Sequence, residues 1–310
     1  MSEPRMPWIE EDPASKAVVE LARKVAETST TLLITGESGT GKDHLARLIH
    51  ELGPRRDAPF LKIDCASLPQ ELVESELFGH ERGAFTGAVE RKLGRLEMAQ
   101  GGTIVLDEVA ALSPATQSKL LRVLEERQFE RLGGTETITI QARLIALTNS
   151  DLRRLVADGL FREDLFFRLS VLTIAVPALR ARPADILPLA DALLERAARV
   201  HGRVGTVFSE PVRHMLAGYS WPGNVRELKN SIERALVFSS GPTLTPQDFP
   251  ESVQFADSGL GVALRSLEEM ERDAIRATLE ATHYKIGRSA AILGISRKTL
   301  LDKRKKYGLN

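Results

Sequence analysis

Short apolar runs alternate with longer amphipathic stretches over the first 180 residues of the chain. The runs are rich in Leu, Ile, Val and Thr and lack the polar alternation of half-exposed strands, as expected for strands buried on both faces. They lie at residues 31–35, 59–63, 103–107, 143–148 and 171–176. Intervening segments such as residues 115–127 are long enough for helical crossovers. The pattern predicts an α/β fold with a five-stranded parallel sheet.

Beyond residue 180, apolar residues recur at helical spacing, which predicts a smaller helical region without strands. Residues 239–261 are crowded with Ser, Pro, Gly and Asp and predict an extended exit followed by a linker. Residues 266–282 form one amphipathic pattern, and two more helical segments follow, separated by a turn at Gly294 and Ile295. We therefore predict an α/β subdomain at 1–178, a helical subdomain at 179–250, a linker at 251–265 and a helix-turn-helix at 266–310.

Composition places the chain among folded, water-soluble proteins. Its 310 residues are 43% hydrophobic and 27% charged, enough for two or three domains. No stretch approaches the roughly 20 consecutive apolar residues of a membrane span, and the N-terminus lacks a signal pattern, so we expect a cytoplasmic protein. Cys65 is the single cysteine, and neither HExxH nor GxSxG occurs, which removes the usual support for disulfide scaffolds, zinc proteases and serine hydrolases.

The charge is balanced overall but unevenly placed. Basic and acidic residues number 42 each, yet residues 285–310 carry eight basic residues against Asp302 alone. That segment has a net charge of +7, and the rest of the chain therefore carries −7. A basic end on a neutral protein indicates an anionic partner such as nucleic acid, although a solvated basic face is equally compatible with charge alone.

A glycine-rich loop of the form GxxxxGK joins the first predicted strand to a helical pattern. Glycines allow the backbone N–H groups to face phosphate oxygens, the helix N-terminus adds positive potential, and Lys42 reaches the terminal phosphates. Asp43 stands where such loops normally carry the Ser or Thr that ligates magnesium, which puts that contact in doubt. The predicted nucleotide-binding residues of this loop are Gly36, Glu37, Ser38, Gly39, Thr40, Gly41, Lys42 and Asp43.

A second apolar strand ends in Asp107 and Glu108. Acids at the carboxyl end of a parallel strand lie at the crevice where such sheets bind ligands. Asp107 can hold Mg²⁺, and Glu108 can polarise the water that attacks the γ-phosphate. Two acids that merely open a loop are the alternative, but together with the phosphate loop the pair points to hydrolysis.

Several motifs together resemble those of bacterial enhancer-binding proteins, the AAA+ activators of sigma-54 RNA polymerase, over nearly the whole chain. The motifs are GESGTGKD at 36–43, ESELFGHERGAFTGA at 74–88, GGTIVLDE at 101–108, FREDLFFRL at 161–169 and WPGNVRELKN at 221–230. The resemblance implies a AAA+ P-loop NTPase fold with a helical lid and a Fis-type helix-turn-helix. It also implies ATP and Mg²⁺ as cofactors, assembly into a hexameric ring, and sigma-54 holoenzyme and upstream DNA as partners.

The hexapeptide GAFTGA is close to diagnostic of this family, whose members use it to contact sigma-54. Two glycines flanking an aromatic and a hydroxyl suit a hinged loop that presents an exposed anchor, although from the residues alone a turn with Phe85 in the core stays open. The resemblance assigns the contact to Phe85 and Thr86 within the loop Gly83, Ala84, Phe85, Thr86, Gly87 and Ala88.

Two arginines, Arg162 and Arg168, match the positions from which the family supplies arginine fingers across a subunit interface. A guanidinium there neutralises charge developing on the γ-phosphate, so a monomer is expected to be nearly inactive. For either arginine the alternative is a surface ion pair with Glu163 or Asp164.

The two nucleotide sensors are also implied by the resemblance. Asn149, after the fourth strand, matches the first sensor, and Arg226 matches the second. The turn before Arg226 predicts that Asn224 caps the helix that carries it. Asp64 stands where the family usually has an asparagine that hydrogen-bonds Glu108. Two ionised carboxylates there would repel each other, so we expect altered coupling between nucleotide and loop.

The C-terminal segment resembles Fis-type domains, which bind paired half-sites as dimers; without that resemblance, a helical hairpin with a basic face remains the alternative. Arg297, Lys298 and Thr299 open the second helix, where they can reach base edges, while Lys303 and Arg304 suit phosphate contacts. Since only about a dozen residues precede the AAA+ region, we expect control in trans by an inhibitory or co-activating regulatory protein, or control by expression level. The prediction is an ATP-hydrolysing sigma-54 activator; the alternative is a DNA-binding repressor in which nucleotide is structural.

Overall fold

The computed structural model describes residues 7–254, 267–282 and 284–308. The chain divides into two compact units, the first ending at Gln254 and the second holding the C-terminal remainder. Within the described ranges, no helix has the length and apolar character needed to cross a bilayer.

Five strands form a parallel sheet in the order β2-β5-β8-β1-β9, which confirms the predicted fold class. Each lies within one residue of its predicted run, because buried apolar stretches bounded by polar turns leave little freedom in placement. The strands of the chain are β1 Leu32–Thr35, β2 Phe60–Asp64, β3 Gly79–His80, β4 Lys92–Leu93, β5 Thr103–Asp107, β6 Gln128–Glu130, β7 Thr137–Thr139, β8 Arg143–Thr148, β9 Leu172–Ala175, β10 Val207–Phe208 and β11 Thr243–Leu244.

Helices cover both faces of the sheet, and alternate residues of each strand point to opposite faces. Leu32 and Ile34 of β1 pack with α1 (Pro13–Ala26) and α2 (Lys42–Leu52). Leu33 packs on the other face with α3 (Gln70–Phe78), α5 (Pro114–Glu126) and α7 (Glu163–Leu169). Asp12 and Ser113 cap α1 and α5, each followed by a proline at the first helical position. The helices up to this point are α1 Pro13–Ala26, α2 Lys42–Leu52, α3 Gln70–Phe78, α4 Arg95–Met98, α5 Pro114–Glu126, α6 Leu152–Ala157 and α7 Glu163–Leu169.

The predicted helical subdomain forms a lid with a core of its own, centred on the fully buried Trp221. Its helices are α8 Ile186–Val200, α9 Glu210–Gly218, α10 Asn224–Phe238 and α11 Glu251–Gln254. Strands were not expected here, yet β10 and β11 pair over two residues each. Helix α11 falls within the predicted linker, and its Val253 is buried in the lid core, so packing extends the lid beyond residue 250.

The second unit contains the predicted helix-turn-helix. Its helices are α12 Leu267–Ala281, α13 Ile286–Ile292 and α14 Arg297–Lys306. Ile275, Leu279, Ala290 and Leu300 form its small core. Gly294 adopts a φ of +66° in the turn between α13 and α14, a backbone conformation that glycine adopts without a steric cost. Residues 255–265 of the predicted linker lie outside the described residues.

Candidate functional site

The glycine-rich loop connects the end of β1 to the start of α2 at the carboxyl edge of the sheet. Gly39 and Gly41 have φ of +77° and +100°, and a Cβ on Gly39 would lie 2.5 Å from the Gly223 carbonyl oxygen. These positions therefore require glycine. Because α2 begins at Lys42, the partial positive charge of its N-terminus faces the loop, where an anion is stabilised.

Lys42 lies folded against its own loop. Its Nζ donates to the carbonyl oxygens of Gly36, at 2.8 Å, and Glu37, at 3.1 Å. Burial lowers the pKa of Lys42, while the nearby carboxylates of Glu108 and Asp107 raise it. The structure thus brings the loop lysine and both acids of β5 into one crevice, as the order of parallel strands predicted.

The Lys62 side chain lies close to both Asp107 and Asp43. The Lys62 Nζ lies 2.7 Å from an Asp107 carboxylate oxygen and 3.9 Å from one of Asp43. Mg²⁺ is commonly held by one or two carboxylates together with phosphate oxygens and waters. The described residues contain no group of three His, Cys, Asp or Glu side chains poised for a metal. Because both carboxylates lie within 3.9 Å of the Lys62 Nζ, Asp107 and Asp43 fit Mg²⁺ bound together with a nucleotide, and Asp43 offers a carboxylate in place of the usual hydroxyl.

Glu108 is oriented by the neighbouring strand. Its Oε2 accepts a hydrogen bond of 3.1 Å from the backbone N–H of Asn149, the residue that follows β8. Glu108 itself has a φ of +54°, in the left-handed region that non-glycine residues seldom adopt. Such backbone strain is common at functional sites, where surrounding contacts hold it. The pairing places the predicted catalytic base and first sensor side by side.

Asp64 ends β2 in register with Asp107 of β5. Its Oδ1 accepts hydrogen bonds from the backbone N–H groups of Ala66, at 3.0 Å, and Ser67, at 3.1 Å. The Asp64 carboxylate is therefore engaged by its own loop, while Glu108 is engaged by Asn149. This geometry gives each acid a separate partner, and the predicted effect of Asp64 on coupling stays a prediction.

The lid contacts the phosphate loop through the start of α10. Arg226 donates to Ser38 Oγ at 2.7 Å, and the Val225 N–H donates to the Gly39 carbonyl at 3.0 Å. The predicted helix cap is wrong, because α10 begins at Asn224 and its cap position is Gly223. Asn224 is instead fully buried, and its side chain donates to Glu37 and Ser38 and accepts from the Leu179 N–H.

Two arginines that sequence reasoning missed complete this contact. Arg180 donates two hydrogen bonds to the Glu37 carboxylate, and Arg182 donates to the Thr40 carbonyl oxygen at 2.7 Å. The hydrogen bonds from Arg180, and then that from Asn224, lower the pKa of Glu37 to about 2. The sequence signal was a pair of arginines at the start of the lid, and the spacing of that pair does not distinguish it from other surface arginines.

A cavity of about 540 Å³ opens beside the loop, between the N-terminal segment and the lid. Trp8, Gly41, His44, Leu189 and Val225 are among its lining residues. The Trp8 ring stacks on His44 with centroids 5.7 Å apart. A space next to a phosphate loop that is lined by an aromatic ring together with apolar and polar side chains suits a nucleobase, and the sequence alone had not pointed to Trp8.

Both candidate arginine fingers are ion-paired within the subunit. Arg162, just before α7, contacts Asp164 at 2.7 Å, and Arg168 contacts Glu125 at 3.2 Å. Their side chains are 47% and 56% exposed, so both can reach a neighbouring molecule. The alternative of a surface pair with Asp164 therefore describes Arg162 in the isolated chain.

The GAFTGA loop lies between β3 and β4, with Gly83 and Gly87 at φ of +82° and +104°. Phe85 is 41% exposed and packs edge-on against His80, with centroids 5.0 Å apart, so it is not a core residue. Beneath the loop, Arg131 is almost fully buried and binds three carboxylates, a cluster that sequence reasoning missed. Its partners are Glu81, Glu97 and Glu136.

The candidate DNA-binding residues of the second unit differ in whether their side chains make contacts within that unit. Arg297 and Lys298 lie in the first turn of α14, and the Thr299 N–H donates to the capping Ser296 Oγ at 3.0 Å. Lys303 instead pairs with Glu271 of α12 at 2.5 Å, and Arg304 lies 5.9 Å from the Tyr284 ring. The structure thus ties Lys303 to the packing of α14 on α12.

Three protein families match consecutive parts of the chain. Residues 8–175 match the sigma-54 interaction domain. Residues 180–261 match the AAA+ ATPase lid domain. Residues 266–307 match the Fis family of bacterial regulatory proteins.

Characterised relatives extend over nearly the whole chain. The nitrogen fixation protein VnfA of Azotobacter vinelandii is 46% identical over 299 residues, which cover 94% of this chain and 57% of that protein. The regulatory protein AtoC of Escherichia coli K12 is 42% identical over 308 residues, covering 96% and 67%. The chain therefore spans between about half and two thirds of the length of these two relatives.

Solved structures agree with the sequence matches. NtrX from Brucella abortus in complex with ATP superposes with a TM-score of 0.76 at 34% identity, covering 98% of this chain and 70% of that one. The NtrX complex with ADP gives a TM-score of 0.75 at the same identity. With the phosphate loop, the GAFTGA loop and the helix-turn-helix in place, the chain belongs to the family of bacterial sigma-54-dependent transcriptional activators, whose AAA+ domains are in general ATPases.

Proposed function

We propose that this protein hydrolyses ATP and uses the free energy to convert sigma-54 RNA polymerase from the closed to the open promoter complex while bound to upstream DNA. The observation that carries the proposal is the coexistence, in one α/β unit, of a nucleotide crevice and an exposed GAFTGA loop. Lys42 and Glu108 lie in that crevice, and Phe85 is exposed on the loop.

Nucleotide binding is supported by the loop and the cavity beside it. The phosphates would take the N–H groups of the loop and the Lys42 ammonium, which then leaves the carbonyl oxygens of Gly36 and Glu37. The base would enter the cavity lined by Trp8 and Val225. Arg226, already bonded to Ser38, is placed to respond to the phosphates from the lid side.

Hydrolysis is supported by the acids of β5. Asp107, with Asp43, would hold Mg²⁺, which supplies positive charge to the β- and γ-phosphate oxygens when bound. Glu108 would accept a proton from the attacking water, and the Asn149 N–H keeps its carboxylate oriented. A carboxylate that is already oriented before the reaction lowers the activation barrier more effectively than one that must first be positioned.

Assembly into a ring is supported by the surface around the arginine fingers. Leu160 lies two residues before Arg162 and Phe167 directly before Arg168 in the chain, and the two are 65% and 62% exposed. Apolar side chains beside exposed arginines are typical of a surface buried by another subunit. In a hexamer, Arg162 would leave Asp164 and reach the neighbouring γ-phosphate, with Arg168 close by.

A structural route connects the crevice to the sigma-54 contact. The loop that binds the Asp64 carboxylate leads into α3, and α3 leads into β3 and the GAFTGA loop. A shift at the edge of the sheet would therefore be carried by a short rigid helix to Phe85 and Thr86. The helix-turn-helix would bind upstream DNA in the cytoplasm.

The test is open-complex formation by the purified protein with sigma-54 holoenzyme on a closed promoter, with and without ATP. Thr86→Ala is expected to abolish opening while retaining ATPase activity, and Glu108→Gln is expected to abolish both. Thr243→Ala, an exposed threonine of the lid, serves as the matched control and is expected to behave as wild type. DNA binding without ATP-dependent opening by the wild type would contradict the proposal and favour the repressor.

A further inference from the structure

Lys62 places a positive charge between the two carboxylates assigned to Mg²⁺. Its Nζ is 2.7 Å from Asp107 and 3.9 Å from Asp43, close enough to Asp107 for a charge-assisted hydrogen bond. The Asp107 side chain is only 19% exposed, so little water competes for it. An ammonium therefore engages one of the two carboxylate oxygens that Asp107 could offer to a divalent cation.

The position of Lys62 in the sheet explains how it reaches both acids. Lys62 follows Phe60 by two residues on β2, so both side chains lie on one face of the strand. Phe60 lies beneath the Arg47 guanidinium of α2, 4.1 Å from the ring centroid, so this is the face that α2 covers. Asp43 opens the same helix, and β5, with Asp107, is the neighbouring strand.

We infer that Lys62 is a resident cation that neutralises Asp107 and Asp43 before metal arrives and sets the Mg²⁺ concentration at which nucleotide and metal bind together. This inference rests on the metal-dependent nucleotide binding of the proposed function. When metal binds, the Lys62 ammonium must leave Asp107, and it remains a like charge nearby. Both effects oppose metal binding, and neither requires Lys62 to touch the nucleotide.

Removing the charge should therefore tighten metal binding. The loss of a charge-assisted hydrogen bond changes a binding constant by roughly tenfold. Lys62→Met is expected to bind metal about tenfold more tightly than wild type in the presence of ADP. Lys62→Gln, a second neutral variant, is expected to change in the same direction, and Lys62→Arg, which keeps the charge, to stay close to wild type.

The experiment uses the full chain with saturating ADP and measures bound Mn²⁺ from the electron paramagnetic resonance signal of the free ion. Lys119→Met is the matched control, because it removes a lysine that pairs with Glu74 on another part of the domain. It is expected to leave the Mn²⁺ affinity unchanged. ADP affinity in excess chelator is measured for every variant, and Lys62→Met is expected to leave it unchanged.

Four results would overturn the inference. Equal Mn²⁺ affinity in wild type and both neutral variants would show that Lys62 does not compete with metal, and weaker binding would show that it assists. An ADP affinity that rises by the same factor without metal would assign the effect to nucleotide instead. If the wild type binds no Mn²⁺ in the presence of ADP, the metal-dependent ATPase activity of the proposed function is contradicted as well. The other results contradict only the role of Lys62, so the two failures can be told apart.

Discussion

The Arg180 guanidinium, at the start of the lid, donates two hydrogen bonds to the Glu37 carboxylate of the phosphate loop, 143 residues earlier in the chain. Asn224, from the first turn of α10, donates a third hydrogen bond to the same carboxylate at 3.1 Å. The phosphate loop is therefore joined directly to the lid, and a change in the loop when nucleotide binds must alter these contacts.

The Glu37 contact predicts a pH-dependent stability. Its pKa falls from an ordinary 4.5 to about 2 in the folded chain, so the folded state binds fewer protons than the unfolded state between these values. The stabilisation is present in full above the unfolded pKa and is lost as the pH falls from about 4.5 towards 2. Glu37→Gln should therefore lower the free energy of unfolding at pH 7, and the difference from wild type should narrow at acid pH.

Urea unfolding from about pH 7 down to the acid limit of the folded protein measures this difference. Glu195→Gln, which removes an exposed ion pair with Arg199 on α8, is the control. A wild-type advantage over Glu37→Gln that stays constant as the pH drops below about 4.5 would contradict the assignment.

Arg131 predicts a large stability effect beneath the GAFTGA loop. Its side chain is 2% exposed and pairs with Glu97 at 2.7 Å, with Glu81 and Glu136 as further partners. Removing one partner of a buried ionic network leaves the others uncompensated, so Arg131→Ala should destabilise the fold by about 3 kcal/mol. Glu136→Gln should cost under about 1 kcal/mol, because Glu136 is 68% exposed. Chemical unfolding compares them, and equal losses in the two variants would disprove the central role of Arg131.

Substitution of Asp64 is predicted to change the coupling between ATP hydrolysis and promoter opening without changing the stability of the fold. In Asp64→Asn the amide oxygen can still accept from the N–H groups of Ala66 and Ser67, so the free energy of unfolding should change by under about 0.5 kcal/mol. The number of ATP molecules hydrolysed per open complex should nevertheless change, because the charge at the end of β2 is removed. The ratio of ATPase to opening rates measures this, and if neither rate moves, the idea of altered coupling fails.

Lys298 and Lys303, both in α14, are predicted to respond differently to substitution. Lys298→Ala should weaken binding to operator DNA more than binding to non-specific DNA, because Lys298 opens α14, where side chains can reach base edges. Lys303→Ala should instead lower the thermal midpoint of the C-terminal unit, because Lys303 pairs with Glu271 at 2.5 Å. Salt titrations of binding to operator and non-specific DNA, together with thermal unfolding, test the contrast. If Lys303→Ala changes only the salt slope, Lys303 is a phosphate contact after all.

Sequence alone predicted the elements that depend on local order. The five strands follow from uninterrupted apolar runs, and the phosphate loop follows from glycines placed directly between a strand and a helix. Asp107 and Glu108 could be assigned to the crevice because the carboxyl ends of parallel strands meet at one edge. The turn at Gly294 was predictable for a similar reason, since it separates two helical patterns.

Contacts between distant positions were decided only by the tertiary structure. The roles of Arg180 and Asn224 at the phosphate loop, and of Lys62 between Asp107 and Asp43, depend on which side chains the packed sheet and lid bring within hydrogen-bond distance. A periodic pattern specifies which face of an element is buried, but it does not specify which polar groups meet across two elements. The sequence by itself therefore determined the strands, the loop and the family, whereas the packing of the lid and sheet determined how the site is held and charged.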